Sequence, residues 1–114
     1  MKVHKCKQPK GLIYDYDEKP TKLDRNDIRS LERFELDEIW YWNTEGDYEG
    51  NGILVMRKGD LWDYHDMSHC SCYGPIDEAE FKGRYASYEA MLDACSEEFT
   101  TEFETITRYI KCEN

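Results

Sequence analysis

The chain has 114 residues, with 15 Lys and Arg against 25 Asp and Glu, a formal charge of −10 and a pI near 4.7. That length supports one hydrophobic core, and the charge opposes both counterion-release binding to nucleic acid and adhesion to an anionic membrane. No run approaches the 18 apolar residues of a bilayer span, and the start, MKVHKCKQPKG, has no apolar stretch of the signal-peptide kind.

Aromatic residues make up 14% of the chain and the hydrophobic set 39%. This composition builds a core, in contrast to that of disordered acidic tails. Five cysteines, an odd number, and the lack of an export signal predict a reduced chain in the cytoplasm.

Residues 1–11 read as a basic N-terminal arm, with Lys2, Lys5, Lys7 and Lys10 and no acid. Residues 12–114 read as one acidic α+β domain. Leu12 to Tyr16 suggests a short strand, and Asp17 to Pro20 a turn. Residues 22–36 predict a helix capped by Thr21 or Asp24, with Ile28 and Leu31 on its apolar side.

Residues 38–44, EIWYWNT, read as a strand with Ile39, Tyr41 and Asn43 on one face and Trp40 and Trp42 on the other. At least two of Trp40, Tyr41 and Trp42 are expected in the core. Glu45 to Gly52 reads as a loop. Ile53–Met56 and Leu61–Tyr64 predict a hairpin around Arg57–Asp60. Asp66 to Pro75 reads as a loop, and residues 76–85 as a short extended segment. Two further helices are expected, over Tyr88–Glu98 with Ser87 as cap and over Thr101–Lys111. The predicted fold is thus α+β, an antiparallel sheet of three to four strands packed on one face by two to three helices.

His69-Cys70-Ser71-Cys72-Tyr73-Gly74-Pro75 is the least average stretch. His65, His69, Cys70 and Cys72 together supply the nitrogen and sulfur ligands that zinc takes. Their spacing is poor, because neighbours such as His69 and Cys70 diverge and no C-x₂₋₄-C pair is present. The competing expectation is structural: Cys70 and Cys72 pack inward as small hydrophobes, and His69 bonds to a nearby carbonyl or acid. A thiol-dependent enzyme is a further alternative, with Cys70 or Cys72 as nucleophile, His65 or His69 as base and Asp63 or Asp66 as orienting group. The acidic surroundings oppose a thiolate.

Tyr48 to Gly52, Ile53 to Met56, Gly59 to Tyr64 and the HCSCYGP stretch resemble small uncharacterised proteins carried by bacteriophages and related mobile elements. The resemblance covers about a quarter of the chain. It implies a phage-like context and transfers no chemistry.

Gly46, Gly50 and Gly52 lack the order and the following helix of a phosphate loop. The acids between them lack the order of an EF-hand. What remains is an interaction surface of Glu45, Asp47, Tyr48, Glu49 and Tyr73, in which exposed aromatics stand among acids. The expected function is a small acidic interaction module that meets a basic protein partner. A phage-borne modulator of a host protein, for instance by DNA mimicry, is one form of it.

Overall fold

A computed structural model describes residues 1–6, 19–46, 49–70 and 74–95. The strand expected over 12–16, the helix expected over 101–111, and Asp47, Tyr48, Cys72 and Tyr73 lie outside the described residues.

In chain order the elements are β1 (Lys2–Lys5), β2 (Lys19–Pro20), α1 (Arg25–Glu32), β3 (Glu38–Glu45), β4 (Glu49–Gly50), β5 (Gly52–Lys58), β6 (Leu61–Asp66), β7 (His69–Cys70) and α2 (Tyr88–Cys95). The fold is α+β, built on a mixed sheet of five strands in the order β1-β3-β5-β6, with β2 also paired to β3. β3, β5 and β6 form the antiparallel meander that the sequence predicts. β5 and β6 pair from Ile53↔Asp66 to Lys58↔Leu61. Arg57 and Lys58 are therefore strand residues, and the turn is only Gly59–Asp60, with Gly59 at φ 59° as a tight hairpin requires.

Three features depart from the expectation. β1 lies parallel to β3, from Lys2↔Glu38 to Lys5↔Tyr41, so the sheet is not wholly antiparallel. Parallel neighbours need a crossover, and here it contains β2 and α1. Lys19–Pro20, read as turn, pairs with Thr44 and Glu45 on the same β3 edge. Finally, the Gly50 and His69 regions, both read as loop, form the β4–β7 rung, which keeps the β5–β6 register past an interruption at Asn51 and Ser68.

The helices also pack on opposite faces. Leu31 of α1 joins Ile39, Tyr41, Leu54, Met56, Met67 and Ile76 in one core. Met91 of α2 joins Cys6, Trp40, Trp42, Ile53 and Val55 in the other. The cause is compositional. β3 and β5 carry apolar side chains at both parities, so each face must be covered. Trp40, Tyr41 and Trp42 are all buried.

α1 starts where the sequence allows, with a reciprocal capping box between Asp24 and Asp27. It ends at Glu32, short of the predicted 36, and Glu35 turns the chain in a left-handed conformation, φ 56°. Ser87 caps α2 by accepting from the Ala90 amide at 3.1 Å.

Candidate functional site

The His/Cys stretch enters the fold through β7. As strand neighbours, His69 and Cys70 project to opposite faces of the β4–β7 rung. His69 Nδ1 lies 3.0 Å from the Met67 carbonyl, the structural role anticipated for it. Its ring sits against Gly50, where a Cβ would collide with that ring and with the Thr44 carbonyl. His65 Nε2 lies 3.2 Å from the Pro75 carbonyl. Burial holds the His65 imidazole below its usual pKa, outweighing the Pro75 bond and the nearby Asp66 and Glu78 carboxylates.

Cys70 is half-buried. Among the described residues no three His, Cys, Asp or Glu side chains converge as metal ligands, so His65, His69 and Cys70 do not meet at one point. Cys72 lies outside the described residues. Of the two acids that could orient a histidine in a thiol mechanism, Asp63 is committed elsewhere. Asp63, almost fully buried, accepts from Arg84 Nε at 2.6 Å and from the Lys82 amide at 2.7 Å. Arg84 in turn lies over the rings of Tyr64 and Tyr85.

A second polar cluster escaped sequence reasoning. The buried His4 ring places Nε2 2.8 Å from Glu38 Oε2, and Arg57 Nη2 donates to Glu38 Oε1 at 2.8 Å. Burial raises the Glu38 carboxyl, yet the hydrogen bonds from Arg57 and His4 outweigh it and hold Glu38 below the usual range. His4 also stacks on Trp40 at 5.2 Å, and Trp40 on Trp62 at 5.5 Å. The only sequence signal was a histidine two residues from a cysteine, with nothing to link it to Glu38.

The acids divide by position. At the end of the sheet beside the β5–β6 turn three are paired, Glu38 with His4 and Arg57, Asp37 with Arg57, and Glu35 with Lys58, while Asp60 in the turn itself makes no ion pair among the described residues. Asp63 and Glu80 are also paired, with Arg84 and Lys82. The far end of β3, about 23 Å away at 3.3 Å per residue, differs. Asp24, Asp27, Glu45, Asp66, Asp77 and Glu78 make no ion pair among the described residues. Lys19 stands across from Glu45 in the ladder but forms no ion pair with it.

Asp24 and Asp27 at the start of α1, Glu45 of β3 and Asp77 come from separate segments, and the others act on Asp27. Burial pushes the Asp27 carboxyl up, as do Asp24, Asp77 and Glu45, against the opposing bond from the Asp24 amide. Of the residues expected to form the interaction surface, Glu45 and Glu49 are exposed at this end, and Asp47, Tyr48 and Tyr73 lie outside the described residues. No protein-family model, curated protein or solved structure matches the chain.

Proposed function

We propose that the chain is an acidic interaction module whose far end, around Glu45, Asp27 and Asp77, receives a basic protein segment. One observation supports this reading: Asp37, Glu38 and Glu35 lie against Arg57 and Lys58 at one end of the sheet, whereas Asp24, Asp27, Glu45 and Asp77 make no ion pair among the described residues at the other. Uniform solubilisation does not require that segregation. A like-charged cluster is destabilising by itself, and a cationic partner relieves it while accelerating encounter. The resemblance to phage-borne proteins fits a modulator of a basic host protein.

The test compares two charge reversals of equal size. Glu45→Lys with Asp77→Lys alters the far end, and Glu35→Lys with Glu80→Lys alters acids that already have partners. Association with a lysine-rich peptide is followed at increasing salt. The proposal expects the first pair to slow association and flatten its salt dependence, with the second pair close to the parent. Equal effects from both pairs would reduce the charge to a general property of the chain.

A further inference from the structure

Of the four asparagines, only Asn51 precedes a glycine. Asn51 sits in the interruption between β4 and β5, and Gly52 is the first residue of β5, at the acidic end. Glycine lacks the Cβ that would crowd its own backbone nitrogen, so that nitrogen can reach the side chain of the preceding asparagine.

The surroundings of the pair are unusual for a sheet. A regular antiparallel rung would exchange two backbone bonds between Thr44 and Asn51. Here the Thr44 amide donates to the Asn51 carbonyl at 2.7 Å, but the Asn51 amide donates to Thr44 Oγ1 at 3.1 Å. The same hydroxyl donates back to the Asn51 carbonyl at 3.2 Å. On the other side Met67 N–H donates to the Gly52 carbonyl at 3.0 Å. The Met67 carbonyl, which a regular rung would offer to Gly52 N–H, is engaged by the His69 ring. Ser68 Oγ donates to Asn51 Oδ1 at 3.2 Å, which polarises the carboxamide and stabilises negative charge developing on that oxygen.

We infer that Asn51–Gly52 is a self-modification site, a deamidation clock that the Thr44 hydroxyl holds closed. The Gly52 backbone nitrogen loses its proton and attacks Asn51 Cγ. The Cγ–Nδ2 bond breaks, ammonia leaves, and a five-membered succinimide remains. Water then opens the ring at either carbonyl, giving aspartate or isoaspartate at position 51. The extended ladder keeps the nitrogen away from Cγ, so reaction follows local opening of the Thr44–Asn51 rung. The product adds one carboxylate to the acidic end, and the isoaspartate form also lengthens the backbone by one atom.

The experiment is peptide mass spectrometry of the full chain during incubation at neutral to mildly alkaline pH, with separation of aspartate from isoaspartate. Asn51 should convert ahead of Asn26 and Asn43, with isoaspartate among the products. Thr44→Val removes both bonds of the hydroxyl and should convert at least about fivefold faster, since one lost hydrogen bond alone has about that effect on the closed state. Gly52→Ala is unsuitable alone, because its Cβ would collide with the Trp42 carbonyl. Asn51→Gln keeps the amide but closes a six-membered ring far more slowly, and should abolish the mass change at this position. Conversion of Asn26 or Asn43 at the rate of Asn51, or a Thr44→Val rate equal to the parent's, would overturn the inference.

Discussion

Asp63 shows how a single side chain can organise a segment that has almost no regular structure. Its carboxylate takes Arg84 Nε, the Lys82 amide and its own neighbour's amide at Tyr64. These bonds tie residues 82–84 to β6, beside the Trp62↔Tyr85 bridge. Asp63→Ala leaves those donors without their acceptor and should cost about 2–3 kcal/mol in urea unfolding. The value stays below that of a fully buried pair because Arg84 is 43% exposed. His65 predicts a pH dependence. Its folded pKa lies below the ordinary 6.5, so the unfolded chain takes up the proton first and stability falls as pH drops through that value. His65→Gln should flatten this part of the melting-temperature profile. Glu38 adds a second loss at lower pH. Its folded pKa is below 4.5, so its contribution is present above that value and disappears as pH falls through the folded pKa.

At the scale of elements, β1 depends on the Glu38 clasp as well as on its ladder. Glu38→Ala removes the acceptor shared by His4 and Arg57. Amide exchange at Val3–Lys5 should quicken roughly 10-fold or more, as expected for losing charge-assisted bonds. The β5–β6 hairpin loses only the Arg57 side-chain bond and keeps its own backbone ladder, so its protection should fall far less. The hairpin and the α1 start were legible because their signals are local: Lys58 and Gly59 between two apolar runs, and Asp24 three residues before Asp27. β1 was not legible. It is four residues long with three exposed side chains, and its pairing with β3 spans more than thirty residues. The opposite-face helices were half legible, since Ile53–Met56 has no polar residue and so signals a strand covered on both sides. The β4–β7 rung was hidden because Gly50 and the HCSC residues carry turn and metal-ligand signals rather than a period of two.

For the whole molecule, net charge alone says little about where a partner would sit. Residues 22–36 hold four acids and four bases, so α1 and its flanks are balanced, whereas residues 37–56 hold five acids and no Lys or Arg. The structure divides that second group: Asp37 and Glu38 are held by Arg57, and Glu45 projects at the far end near Asp27 and Asp77. Glu45 and Glu49 were legible as candidate contacts from composition. The contributions of Asp24, Asp27 and Asp77 were not, because they come from elements far apart in sequence that only the tertiary fold brings together. The most direct test is an amide chemical-shift titration with a lysine-rich peptide at about 0.15 M salt, where screening limits attraction to about 8 Å. The account predicts shifts concentrated at Asp24, Asp27, Glu45, Gly46 and Asp77. Shifts centred on Asp37, Glu38 and Arg57, or spread evenly over the surface, would contradict it.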